Sequence, residues 1–258
     1  MKIVRYWDVT ANTAKYGVLE TATIHEIAGS PYGDIRTTGS TVPVADTRLL
    51  APCEPTKIVA GGANYHGHLK EVGLPVPETP VFFLKPPTTI IGPNEAVIYP
   101  PESKRVEYEG ELAVVVKRTM RKVSPAQVLP NLLGYTCVND VTARDIQVQG
   151  GNLLHLCHSK SFDTFCPTGP WLETELDTRA LDVELRVNGV VKQHSNTNDT
   201  IFSVEAMVSY FSHVMTLLPG DLILMGSPPG IGEMHVGDTV ELAIEGIGTL
   251  RHSVAAGP

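Results

Sequence analysis

Along much of this chain the apolar positions recur at every second residue or in short blocks, and Gly, Pro and Asn break them apart. Within residues 1–50, "KIVRYWDV", "KYGVLETATIHEIAG" and "IRTTGSTVPVADTRLL" read as short strands rich in β-branched and aromatic residues. The two prolines of "APCEPTKIVAGG" then mark a boundary. The expected organisation is a small N-terminal β subdomain, 1–50, followed by a larger domain, 51–258. In the larger part "PVFFLKPPTTIIG", "AVIYPP", "LAVVVKR", "LLGYTCVND" and "DLILMG" suit strands, whereas "SPAQVLPNLL" and "IFSVEAMVSYFSHVMTL" have helical spacing. In "LDVELRVNGVVKQHS" the apolar Leu181, Val183, Leu185 and Val187 alternate up to Asn188-Gly189, a two-residue hairpin signal. The pattern predicts a mostly β fold with few helices (α+β), without internal repeats.

Composition changes this picture little. At 258 residues, 42% hydrophobic and 19% charged, the chain can bury a full core. A net charge of −8 argues against a nucleic-acid partner. No apolar run reaches the ~18–20 residues that cross a bilayer. "MKIVRYWDVTANTAKYG" contains no secretory apolar stretch, and Cys53, Cys137, Cys157 and Cys166 form no CxxC pair. The expectation is a cytoplasmic protein with reduced thiols, bound to neither membrane nor nucleic acid.

Charge placement is more informative. In "EYEGELAVVV" a strand would send Glu107, Glu109 and Glu111 to one face. Burying such acids unpaired costs several kcal/mol per ion, so either they stand in water at a sheet edge or a cation lies among them. Downstream, "GYTCVND" ends in Asn139-Asp140. If Asp140 faces Glu109 and Glu111, three hard oxygen donors favour Mg²⁺, Mn²⁺ or Ca²⁺ over softer ions.

Three further clusters carry candidate chemistry. In "GGANYHGHLKEVG", Asn64 is placed to cap a short helix on which His68 and Glu71 share a face, as a carboxylate-oriented base does. A solvated helix face, or a zinc site at His66-Gly-His68, are the competing readings. In "HSKSFDTFCPTGPW", Lys160 is either a surface lysine or a charge for a substrate carboxylate or enolate. "MGSPPGIGE" is no dinucleotide fingerprint, since Pro228-Pro229 cannot open a helix over a pyrophosphate. Its amides and the Ser227 hydroxyl could instead hold a small oxyanion.

Taken in order, "NYHGHLKEVG", "FFLKPPTTIIGP", "VEYEGELAVVV", "NDVTARDIQ", "KSFDTFCPTGPW", "LLPGDLILMGSPPGIG" and "IEGIGTL" resemble the fumarylacetoacetate hydrolase family over about residues 52–252. The likeness is greatest to short bacterial members and to the acylpyruvate hydrolase and oxaloacetate decarboxylase branch. It implies a mixed β-sandwich roll of the family's C-terminal domain type, usually a homodimer. It implies metal ligands at Glu109, Glu111 and Asp140 for Mg²⁺ (or Mn²⁺), and catalytic roles for His68, Glu71 and Lys160. Tyr65, Arg144, Gln147 and Ser227 fall at substrate-binding positions. Glu107 matches no family ligand and is expected to be a solvated acid where the strand begins. Long eukaryotic members carry an additional Asp ligand before the His motif, where this chain has Asn64-Tyr65, so water would complete the coordination. The variable segment "VQGGNLLHLCH" lies near the expected pocket.

The activity so implied is Mg²⁺/Mn²⁺-dependent hydrolysis of a C–C bond in a 2,4-dioxo acid of the acylpyruvate or fumarylpyruvate type, through a metal-held pyruvate enolate. Because His68 and Glu71 together suit water activation, hydrolysis ranks above two alternatives, oxaloacetate decarboxylation and isomerisation or decarboxylation of a hydroxymuconate-type diacid.

Overall fold

A computed structural model describes residues 1–151 and 154–257; Asn152 and Leu153, inside the variable segment, and Pro258 lie outside the described residues. The alternating blocks become strands of three sheets. Among the described residues the largest has twelve strands, ten in one continuous path, with Arg48–Leu50 paired beside Lys2–Asp8 and Ile90–Ile91 beside Cys166–Glu173. Its order runs Thr37–Pro43, Thr23–Ile27, Thr13–Glu20, Lys2–Asp8, Cys166–Glu173, Leu132–Asn139, Gly110–Val116, Leu222–Leu224, Ile58–Gly62, Val81–Lys85. The N-terminal strands therefore extend the same sheet, joined by Ile3 opposite Leu172 and Lys2 opposite Glu173.

A five-stranded sheet, Val190–Asn196, Asp182–Val187, Thr239–Ile244, Gly248–Ala256 and Ala96–Tyr99, covers one face of the large one. Leu112 and Val114 of the strand Gly110–Val116 join Leu185, Leu242 and Leu250 in that core. The alternate residues Ala113 and Val115 join Ile3, Leu133 and Val138 on the other side. Period-two geometry thus buries both faces, which is why the run reads as almost continuously apolar. A small sheet of Thr142–Ala143, Val106–Tyr108 and Gly232–Met234 continues the edge where the acids lie.

The helical spacing of "IFSVEAMVSYFSHVMTL" becomes the helix Val204–Val214, capped by the Ser203 side chain and burying Met207, Val208 and Phe211. "SPAQVLPNLL" does not become a helix. It forms two 3₁₀ turns, Pro125–Gln127 and Leu129–Asn131, and Leu132 already begins a strand. Pro130 has no amide to donate and would clash with a preceding helical turn, so the apolar spacing is overridden.

Candidate active site

Two strands bring the acids together. Glu109 sits at the break between Val106–Tyr108 and Gly110–Val116, and Asp140 follows Leu132–Asn139. Gly110 lies opposite Asn139 and Glu111 opposite Val138, which sets the two strand ends side by side. The Asp140 amide donates to the Glu109 carbonyl at 2.8 Å. Ligand oxygens of Glu109, Glu111 and Asp140 all fall within 4.8 Å of one another, and all three residues are buried.

Cations crowd around two of these acids. Lys160 Nζ lies 2.8 Å from Glu109 Oε2 and 2.6 Å from Asp140 Oδ2. Lys85 Nζ lies 2.5 Å from Asp140 Oδ1 and also donates to the Val141 carbonyl. Arg144 pairs with the remaining Glu109 oxygen, to which the Thr142 hydroxyl donates as well. Lys160 is thus no surface lysine; it is 2% exposed. Burial alone would raise the Glu109 pKa, but Lys160 and Arg144 reverse this and bring it below the usual carboxylate range. The same carboxylates hold the Lys160 ammonium charged against the effect of its own burial.

Glu111 is different. It accepts the Gly226 amide at 2.6 Å, yet among the described residues no side-chain cation pairs with it. Burial, followed by the charges of Asp140 and Glu109, pushes its pKa well up. A buried group of hard oxygens in which one acid has no directly paired cation among the described residues is what a divalent cation would complete. The residues present fit a divalent metal ion, with Glu109, Glu111 and Asp140 placed where they could hold it.

Glu107 corrects the sequence reading. It is not solvated but 0% exposed, and it accepts Arg144 Nε at 2.6 Å and Arg105 Nε at 2.6 Å. The parity that aligns the three acids is real; the missing element was the pair of arginines, which makes burial tolerable. Arg144 also donates to the Gln147 side-chain oxygen, so Glu107, Glu109 and Gln147 share one guanidinium.

The His–Glu pair lies on the short helix His66–Val72. His68 Nδ1 is 3.2 Å from Glu71 Oε2, leaving Nε2 as the proton acceptor. His68 is near enough to Glu109 to contribute to its lowered pKa. Asn64 does not cap this helix. Its amide donates to the Phe202 and Met225 carbonyls and its oxygen accepts the Phe202 amide, tying two loops together. The capping contact comes from Asp199, whose carboxylate accepts the Gly67 amide at 2.8 Å. Tyr65, 1% exposed, adjoins the same region, and its hydroxyl pKa is raised by burial, then by Glu111 and Asp199.

The loop Gly226–Gly230 links the two halves. The Gly226 amide serves Glu111, and the Gly230 amide donates to Glu71 Oε1 at 3.0 Å. Both glycines have positive φ, 93° and 97°. A Cβ at Gly230 would stand 2.4 Å from the Lys192 carbonyl, so no other residue fits there unshifted. Ser227 accepts Gln193 Nε2 at 3.0 Å, while Gln193 Oε1 accepts the Gly110 amide.

Lys85 and Gln193 were not anticipated. In "VFFLK" apolar residues stand at both parities, and the structure exposes Leu84 while burying Lys85. Only the position of Asp140 explains that lysine. Gln193 follows Val190, Val191 and Lys192, all exposed, and nothing in its neighbours marks it as buried.

Comparison with known proteins fits this arrangement. Residues 57–255 match the family model "Fumarylacetoacetate (FAA) hydrolase C-terminal", and residues 1–52 match "Rv2993c-like, N-terminal". Protein Rv2993c of Mycobacterium tuberculosis is 48% identical over 235 residues, 90% of this chain and 88% of that protein. A 2,4-didehydro-3-deoxy-L-rhamnonate hydrolase of Sphingomonas sp. is 40% identical over 93% of this chain and 87% of its own. A crystal structure of a 2-hydroxyhepta-2,4-diene-1,7-dioate isomerase from Mycobacterium marinum superposes with a TM-score of 0.91 at 44% identity, covering 99% of this chain and 98% of that one. A maleylpyruvate hydrolase from Sphingobium sp. SYK-6, in complex with manganese(II) and pyruvate, superposes with a TM-score of 0.81 at 28% identity over the full length of both chains. With the family model spanning most of its residues, this chain belongs to the fumarylacetoacetate hydrolase family.

Proposed function

We propose that this chain hydrolyses the C3–C4 bond of a 2,4-dioxo acid of the acylpyruvate or fumarylpyruvate type, yielding pyruvate and the matching carboxylic acid. The observation that carries this reading is the His68–Glu71 pair beside the buried acids, with Nε2 free to take a proton. A divalent cation held by Glu109, Glu111 and Asp140 would supply Lewis-acid polarisation of the substrate's 2-oxo carboxylate.

His68 Nε2 takes a proton from water as its oxygen bonds to C4, and Glu71 stabilises the resulting imidazolium. As the C4 carbonyl re-forms the C3–C4 bond breaks, its electron pair passing to C3 as pyruvate enolate, and the proton held on the His68 imidazolium goes to C3, which completes pyruvate and restores the neutral base. Lys160 offers positive charge to the developing anions and Arg144 to the substrate carboxylate, with the Tyr65 and Ser227 hydroxyls as further donors. The manganese- and pyruvate-bound relative, named as a maleylpyruvate hydrolase, favours this class. The relative named as a dienedioate isomerase supports a second reading, in which the same charges stabilise a dienolate and no water attacks.

The test is product analysis with Mg²⁺ or Mn²⁺, offering acetylpyruvate, fumarylpyruvate, oxaloacetate and a 2-hydroxyhepta-2,4-dienedioate in parallel. Pyruvate plus the matching acid from a dioxo substrate is expected. Double-bond migration alone would establish the isomerase, and CO₂ from oxaloacetate alone the decarboxylase.

A further inference from the structure

Behind the acids runs a hydrogen-bonded chain to which no role above refers. Asn139, fully buried, ends the strand Leu132–Asn139, and its Oδ1 accepts the Glu109 amide at 2.8 Å. Together with the Asp140 amide on the Glu109 carbonyl, this fastens the Glu109 backbone at both its polar atoms. A backbone N–H can only donate, so the Asn139 atom facing it must be oxygen, and the amide NH₂ must point away.

There the NH₂ meets His252 Nε2 at 2.9 Å, with the weakly accepting Met234 sulfur at 4.0 Å. Since the amide donates, Nε2 must be the bare nitrogen and the proton must reside on Nδ1, which faces the Ser253 carbonyl at 3.2 Å. His252 lies on the strand Gly248–Ala256, is 2% exposed, and is pushed down to a pKa of about 4 by burial, which the Ser253 carbonyl only partly opposes. The required neutral imidazole is therefore the form present at neutral pH. The relay is closed: Ser253 carbonyl, His252, Asn139, Glu109.

We infer that His252 is a positioning residue, which through one tautomer holds the Asn139 amide in the orientation that pins the Glu109 backbone for metal binding. Without an acceptor at position 252 the buried NH₂ loses its good partner, the amide is free to rotate, and the Glu109 N–H is released. Outer contacts of this kind orient a ligand that they never touch. The inference rests on the reading of Glu109 as a metal ligand, and its test separates the two.

Nitrogen-15 NMR of the metal-free chain should show His252 with the proton on Nδ1 and a bare Nε2. Mn²⁺ titration followed by electron paramagnetic resonance should show His252→Leu binding roughly 10–100-fold more weakly than the parent. His252→Gln, whose side-chain oxygen can accept from Asn139, should stay within about threefold of the parent. A proton on Nε2, Leu and parent binding alike, or Gln losing as much as Leu would each overturn the inference while the metal reading stood. If His252→Leu does not fold, the tautomer and the Gln variant decide. A parent that takes up no Mn²⁺ would overturn the metal reading itself, and this inference with it.

Discussion

The two sides of the site are built in opposite ways. The acids lie within or at the ends of buried strands, with Lys85, Lys160 and Arg144 filling the space around them. The His–Glu pair lies on a seven-residue helix with one buried residue, Leu69, and its side chains are 15% and 33% exposed. Held charges need a stiff, dry frame in which opposite charges are fixed in advance. A proton-transfer pair needs contact with water and room to adjust. The contrast teaches that one site can draw rigidity from a sheet and access from a short helix.

Breaking the acidic side should have the largest effect. Glu111→Gln removes the acid with which, among the described residues, no side-chain cation pairs directly. Metal-dependent turnover is expected to fall by more than about 10³-fold, as losing a primary ligand disables Lewis-acid catalysis. The metal-free protein should nonetheless melt no lower than the parent, because a repelled buried carboxylate has gone. Turnover assays with Mn²⁺ check the first part and differential scanning fluorimetry with and without Mn²⁺ the second; a metal-induced rise in Tm that survives the substitution would contradict the ligand assignment.

Breaking the helical side should be milder and selective. His68→Ala is expected to reduce dioxo-acid hydrolysis about 10²–10⁴-fold, the usual worth of a general base, with Mn²⁺ affinity nearly unchanged. Oxaloacetate decarboxylation, which needs no attacking water, should fall much less. Equal losses of both activities would mean that the pair does not serve mainly to activate water.

The smallest effect sharpens the comparison by asking how far the stiff frame extends. Glu107→Gln weakens the anchor on Arg144 Nε without touching an expected ligand. KM for the dioxo acid should rise about tenfold while kcat changes little, since a loosened guanidinium still reaches the substrate carboxylate. Steady-state kinetics against the parent will show whether kcat falls instead, which would place Arg144 in the bond-breaking step.

Much of this was legible in the chain. Alternation in "EYEGELAVVV" aligned the acids, and spacing in "HGHLKE" set His68 and Glu71 on one face. What stayed hidden were partners distant in sequence. Glu107 looked solvated because Arg144 is 37 residues away, and nothing local marked Lys85 because its partner Asp140 is 55 residues away. Asn64 looked like a cap because local pattern cannot show that Asp199, 132 residues from Gly67, performs that task. Pairings across a sheet are set by topology, which periodicity does not encode.

The loop Gly226–Gly230 carries a last consequence. Surface loops are where chains ordinarily accept insertions and drift between relatives. This one acts as a spacer of set length, since one end meets the acid on the sheet and the other meets the partner of His68. Lengthening it by a single residue would move those two anchors out of step. Between its two fixed glycines it should therefore vary in sequence far more readily than in length, and homologues with altered chemistry should keep its span while changing the side chains between them.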